Sequence, residues 1–212
     1  MSLIIALCIG LAVGLLLQAN KIRLLRQQLT EQQLRDALTG LYQRPHLFTL
    51  SAREVNRAQR SQSKMAVLIA DMDHCAEINA NHGLHAGDLA LKRLAESALK
   101  SVRDFDLVGR YSGEEIALVL PDTDYKGAMV VAERLRNNVK QIPITLPNQS
   151  EFYISITIGL AAFDMETETF EDILVAADSA LQSAKKMGVD RIEAFPASIP
   201  VVSSSLNPAP SP

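Results

Sequence analysis

The chain has 212 residues, a net charge of -3 and a hydrophobic content of 48%. That length accommodates one sizeable domain with appendages, and the slight acidity removes the electrostatic basis for general nucleic-acid binding. Two cysteines, Cys8 and Cys75, are too few for a disulfide framework or a cysteine metal cluster, in keeping with a reducing compartment.

The first element is an uncharged apolar run from Leu3 to Leu17. As a helix it falls slightly short of the ~30 Å hydrocarbon core of a bilayer. Lys21, Arg23 and Arg26 follow it and no positive side chain precedes it, so the positive-inside rule puts the rest of the chain in the cytoplasm. A cleaved signal peptide normally has a charged n-region and a small-x-small cleavage site; the first is missing here and the second is poor. Residues 1–19 are therefore expected to be a single-pass anchor in the inner (cytoplasmic) membrane. Residues 20–35 follow as a helical stalk, with Ile22, Leu25 and Leu29 on one narrow stripe. Gln32 takes the next seam position, so a dimerising stalk and a plain connecting helix fit it equally.

Next comes a globular domain, residues 36–195. Apolar strand-like runs occupy Met65–Ala70, Ile116–Leu120 and Tyr153–Leu160; helical patterns occupy Pro45–Gln62, Gly87–Val102, Tyr125–Lys140 and Thr169–Met187. Strands alternating with long helices predict an α/β or α+β layered sheet. Beyond Phe195 the chain turns Pro-, Ser- and Ala-rich, the composition of a disordered tail over 196–212.

Several groups within the domain carry chemical potential. Asp71-Met72-Asp73 ends an apolar strand, where a hard cation such as Mg²⁺ takes one or two carboxylates together with substrate phosphates. Metal binding and an ordinary strand-ending turn are both open for Asp71, and Asp73 reads as a cap for the next helix. Asn79, followed by Gly83, Gly87 and Asp88, offers an amide and a carboxylate to one planar ligand such as a guanine edge. By position alone Asp88 reads better as a helix N-cap, with the glycines breaking the helix. Arg103-Asp104-Phe105-Asp106 makes either a small anion- and guanine-reading patch or a surface ion pair of little weight. Arg110 to Ile116 reads as a hairpin whose tip sets Glu114 and Glu115 beside the bare backbone of Gly113, fit for a cation and a close phosphate, or a plain solvated turn. Lys185 sits at a helix C-terminus ahead of Gly188, a place where lysine ordinarily complements the helix dipole.

Taken in order, these pieces resemble the GGDEF family of diguanylate cyclases. Asp36-Ala37-Leu38-Thr39-Gly40-Leu41 is similar to its opening Asp-x-Leu-Thr-x-Leu, and Asp71-Met72-Asp73, Ile78-Asn79 and Gly87-Asp88 match its second block. Ser112-Gly113-Glu114-Glu115-Ile116 matches the naming motif. Ser155 to Gly159, and Ala177 to Leu181 with Ala184-Lys185, match the closing blocks. The resemblance covers roughly residues 36–195. It implies an α+β fold with a central, mainly antiparallel sheet flanked by helices, and condensation of two GTP into cyclic di-GMP and pyrophosphate by two facing protomers. It further implies Mg²⁺ at Asp71, Glu114 and the Met72 carbonyl, and Glu115 helping to deprotonate the attacking hydroxyl. Asn79 and Asp88 would read guanine, Lys185 would touch phosphate, and Arg103 and Asp106, with Arg134, would form a product-inhibition site for cyclic di-GMP.

The departures from the family pattern are specific. Ala76 stands where a phosphate-stabilising Lys is expected, Leu84 where a substrate-contacting His is, and Ala80 where a structural Asp is. Val189 replaces an Arg that joins Lys185 at the phosphates, while Ser112 and Ile116 replace Gly and Phe in the naming motif. Loss of one aimed donor in an electrostatic site lowers rate on the order of 100- to 1000-fold. The expectation is a homodimeric, membrane-anchored nucleotide-binding regulatory module with weak or no cyclase activity, signalling by dimerisation or through a protein partner; the alternative is an active diguanylate cyclase.

Overall fold

Within the domain, short continuous apolar runs build the centre of one sheet and period-3.6 helices cover both of its faces. The computed structural model describes residues 17, 18, 20, 21, 34–141, 143–147, 149–164 and 169–195. Most of the expected anchor and stalk, and all of the tail, lie outside these residues. No helix among the described residues is long and apolar enough to cross a membrane. In chain order the elements are β1 (Tyr42–Gln43), α1 (Arg44–Ser61), β2 (Lys64–Met72), α2 (Cys75–His82), α3 (Leu84–Lys100), β3 (Leu107–Arg110), β4 (Glu115–Pro121), α4 (Tyr125–Gln141), β5 (Ile144–Thr145), β6 (Glu151–Phe152), β7 (Ile156–Asp164), α5 (Phe170–Met187) and β8 (Ile192–Ala194).

The main sheet has six strands in the order β1-β3-β4-β2-β7-β8, and β5 pairs with β6 as a separate ribbon. The four central strands pair antiparallel, whereas the edge strands β1 and β8 run parallel to their neighbours. The sheet is thus mixed, antiparallel through its middle. β2 is the buried spine. Its Ala66, Leu68, Ala70 and Met72 pack with Leu94 of α3 and Leu135 of α4, while Met65, Val67 and Ile69 face Leu47 of α1 and Leu181 of α5. A strand covered on both faces has no solvent side, which is why β2 reads as a continuous apolar run. Each of the larger side chains among them contributes about 1.5–3 kcal/mol, the alanines less.

Helix α5 sets the height of the layer above the site. Its N-terminus is fixed by a capping box, in which Thr169 accepts from the Asp172 amide and the Asp172 carboxylate accepts from the Thr169 amide. The helix lies so close to β7 that a Cβ on Gly159 would stand 2.2 Å from the Ala177 carbonyl oxygen and 2.3 Å from the Leu181 nitrogen.

Two sequence expectations change. The run Tyr153–Leu160 is strand only from Ile156: residues 153–155 lie between β6, which ends at Phe152, and β7. The helix expected from Gly87 begins at Leu84. Gly83, at φ +84°, is the real break, and Gly87 lies buried inside α3. Helix α2 has no buried residue and so no apolar stripe by which to read it.

Candidate functional site

At one end of the sheet, β2 carries Asp71 opposite Glu115 of β4 on one side and Thr157 of β7 on the other. Strand alternation puts all three on the face beneath α5, because Ile69 and Ala117 share that side. Asp71 is 4% exposed, and Lys185, from the last turn of α5, reaches it with Nζ at 2.7 Å. Burial pushes the Asp71 carboxyl up to about 6; Lys185 opposes the rise, and the nearby Glu115 and Glu114 charges add to it. Three carboxylates and one lysine thus gather at this end of the sheet.

The β3–β4 turn is held by its own backbone and by one arginine. The amides of Tyr111 and Ser112 donate to the Glu115 carbonyl at 2.8 and 3.3 Å. Arg110 donates through Nε and Nη2 to the Gly113 carbonyl at 3.2 and 2.7 Å. Its Nη1 meets both Asp36 carboxylate oxygens, at 3.2 and 3.0 Å. Asp36 in turn accepts from the Thr39 amide and hydroxyl at 2.9 and 2.7 Å. Burial works to raise Asp36, but these donors overcome it and leave the carboxyl below its ordinary range. The turn that opens the domain is therefore tied through one guanidinium to the acidic hairpin tip. Ser112 Oγ donates to Glu115 Oε2 at 2.5 Å, giving the glutamate one orientation. The Met72 amide donates to the Glu114 carbonyl at 3.4 Å, which places Met72 and Glu114 side by side on adjoining chain.

A second cluster adjoins the first. Asn79 donates through Nδ2 to Cys75 Sγ at 3.7 Å, and its buried Oδ1 has no hydrogen-bond partner. Burial, followed by a hydrogen bond to Glu114, pushes the Cys75 thiol up to about 11, so the protonated thiol bridges Glu114 and Asn79. Gly87 backs the amide: a Cβ there would lie 2.1 Å from Asn79 Oδ1. Asp88, the next residue of α3, is exposed beside it.

Two capping expectations fail. Asp88 lies inside α3, which begins at Leu84, and does not cap it. Asp73 does not cap α2. Its carboxylate accepts instead from the Ser155 and Thr157 hydroxyls, both at 2.6 Å, and from the Asp190 amide at 3.0 Å. Three donors from two distant segments outcompete the local cap and pin the loop after β2 to β7.

Arg103, Asp106 and Arg134 gather on a separate surface. The Arg103 amide donates to Asp106 at 2.7 Å, while its guanidinium lies 5.7 Å from the Phe105 ring centroid. Of the two readings left open for this run, the surface ion pair of side chains is not formed; a local turn stands in its place. Arg134 donates through Nε to the Ser101 carbonyl at 3.1 Å. Burial raises the Asp106 carboxyl against the pull of Arg103 and Arg134, and its Oδ1 is buried without a partner.

Among the described residues, no three His, Cys, Asp or Glu side chains converge into a ready metal cage. Mg²⁺ does not need one, since it is held by one or two carboxylates with substrate phosphates and water. The hard oxygens of Asp71 and Glu114, with the Met72 carbonyl, fit that demand. At three positions where the resemblance calls for polar groups the side chain is apolar and exposed: Ala76, Leu84 (78% exposed) and Val189 (46% exposed). Sequence reasoning missed the Arg110–Asp36 tie, the Ser112–Glu115 bond and the place of Cys75, each of which depends on contacts that no local pattern encodes.

The family model for the diguanylate cyclase GGDEF domain matches residues 33–191. Diguanylate cyclase DosC of Escherichia coli (strain K12) is 34% identical over 164 residues, which are 77% of this chain and 35% of that protein. The chain therefore spans about a third of that relative's length. Among solved structures, diguanylate cyclase SiaD in complex with its activator SiaC, from Pseudomonas aeruginosa, superposes with a TM-score of 0.74 at 30% identity, covering 84% of this chain and 67% of that one. The GGDEF domain of PA1120 (TpbB or YfiN) from Pseudomonas aeruginosa does so with 0.73 at 31% identity, covering 76% and 94%. With the fold, the sheet-end carboxylates and the hairpin in place, these matches show that the chain belongs to the GGDEF domain family of diguanylate cyclases.

Proposed function

We propose that residues 36–195 form a GGDEF module of cyclic di-GMP signalling that binds GTP with Mg²⁺ and turns it over weakly or not at all. The observation that carries this reading is the gathering of Asp71, Glu114, Glu115 and Lys185 at one sheet end, next to an exposed Ala76 and an exposed Val189. Asp71, Glu114 and the Met72 carbonyl hold the metal ion, which supplies charge neutralisation at the phosphates. Asn79 and Asp88 take the guanine edge, and the amide is held in place by Gly87. Glu115, oriented by Ser112, accepts the proton of an attacking hydroxyl from the nucleotide of a second protomer. Lys185 turns from Asp71 to the phosphates. At position 76 no cation meets the charge that develops during transfer, and this slows the chemistry more than the binding.

Arg103, Asp106 and Arg134 are suited to cyclic di-GMP, since two guanidinium groups flank a carboxylate with a spare buried oxygen. Output passes through homodimerisation or a protein partner. Residues 1–19 anchor the module to the inner (cytoplasmic) membrane, with the stalk 20–35 between; the uncharged run Leu3 to Leu17 with Lys21, Arg23 and Arg26 after it supports that placement.

Calorimetric titration of the full chain with GTP and with cyclic di-GMP, paired with a turnover assay in Mg²⁺, tests the proposal. Binding with little product supports it. Product formation at ordinary cyclase rates favours the second reading, an active membrane-anchored diguanylate cyclase, for which the aligned carboxylates and the Ser112–Glu115 bond speak.

A further inference from the structure

The geometry points to Arg191 as a phosphate-binding residue that supplies, from the start of β8, the guanidinium missing at Val189. This inference rests on the nucleotide-binding reading above and assigns its triphosphate a second cation.

Arg191 stands just ahead of β8, and its carbonyl accepts from the Ile158 amide at 2.8 Å. Strand β8 runs parallel to β7 with Ile192 opposite Ile158. Ile192 and Ala194 pack into the core under α3 and α4, whereas Phe195 packs on the α1 and α5 side. Alternation then turns Arg191 toward α5, the face that carries Glu115, Asp71 and Thr157. Asp71 pairs with Thr157, so Arg191 extends the same cross-sheet row two strands beyond Asp71, at roughly 5 Å per strand. Helix α5 ends above this row. Its Lys185 reaches Asp71 at 2.7 Å. Three residues on, the Arg191 guanidinium lies alongside Gly188, with Nη2 and Cζ 3.6 and 3.8 Å from where a Cβ would stand.

The guanidinium is also uncommitted. Its Nε is buried without a hydrogen-bond partner. The neighbouring carboxylate, Asp190, is engaged by Arg136 at 3.0 Å and Lys140 at 2.5 Å. Asp73 is saturated by Ser155, Thr157 and the Asp190 amide. Asp71 already bears Lys185. A permanently charged fork with a buried, unmatched N–H is costly until an anion meets it, and a phosphate matches its geometry. The anion that fits is the terminal phosphate pair of a nucleotide whose metal sits at Asp71.

The experiment compares GTP with GMP, each in Mg²⁺, by calorimetry on the full chain, for the unsubstituted protein, Arg191→Met, and Arg191→Met combined with Val189→Arg. Loss of one charge-assisted contact is expected to weaken GTP about 10- to 100-fold in Arg191→Met and to shrink the preference for GTP over GMP by a similar factor. The added Val189→Arg is expected to restore that preference, which a merely structural role for Arg191 would not produce. An unchanged GTP-to-GMP ratio in Arg191→Met overturns the assignment, and so does equal weakening of both nucleotides without rescue. If the unsubstituted protein binds neither nucleotide, the nucleotide-binding reading fails first and this assignment with it.

Discussion

Asp71 is the residue on which structure and chemistry pull in opposite directions. It is 4% exposed, and its carboxyl is raised to about 6 by burial, in spite of Lys185. A raised carboxyl pKa in the folded state means that the fold prefers the protonated form. The stability this preference gives is fully present below the unfolded pKa near 3.8 and is lost as pH rises through about 6. Asp71→Asn should therefore abolish Mg²⁺-dependent nucleotide binding and yet raise Tm at pH 7.5, with a gain of up to ~3 kcal/mol that fades toward pH 4. Thermal unfolding at several pH values reads the stability gain and calorimetry the binding; a Tm that drops at pH 7.5 would contradict this view of the site. Gly87 gives a second test at the same scale. A Cβ there would clash with Asn79 Oδ1, so Gly87→Ala should displace the amide and weaken the proposed GTP binding about tenfold or more, while leaving the cyclic di-GMP binding proposed at Arg103 and Asp106 unchanged. Parallel titrations of the two ligands check that separation.

Among the elements, α5 holds the site to the sheet. A methyl group at Gly159 would collide with the helix backbone, the Ala177 carbonyl and the Leu181 amide. Neither backbone group can swing aside, so Gly159→Ala should destabilise the domain by about 1–3 kcal/mol, measured by denaturant unfolding. Because Lys185 rides on the same helix, nucleotide affinity should fall with it. The elements also show what could be read from sequence. Strands β2 and β4 announced themselves because continuous apolar runs end just before Asp71 and begin just after Glu115, so the sheet end that carries these carboxylates was legible. Helix α2 was not, because none of its residues is fully buried and it carries no stripe. The Arg110–Asp36 tie joins residues 74 apart, and each partner alone looks like an ordinary surface charge. Asp73 misled for the same reason: a helix follows it at once, but its hydrogen-bond donors lie 82, 84 and 117 residues away.

For the whole molecule, the decisive contrast is between holding a nucleotide and transforming it. The carboxylates, the Asn79 amide and Lys185 are assembled within one domain, whereas the proposed transfer needs a second protomer and a cation facing the developing charge. Ala76 is exposed at the loop end of α2, on the surface where that cation is expected. Ala76→Lys should raise cyclic di-GMP production on the order of 100-fold, with GTP affinity changed far less. The most direct single measurement is product formation from GTP and Mg²⁺ by the unsubstituted full chain and by Ala76→Lys, at saturating nucleotide and equal protein concentration. The expected result is a trace of product from the first and a large rise in the second; rapid turnover by the unsubstituted chain, with no gain from the lysine, would contradict the account.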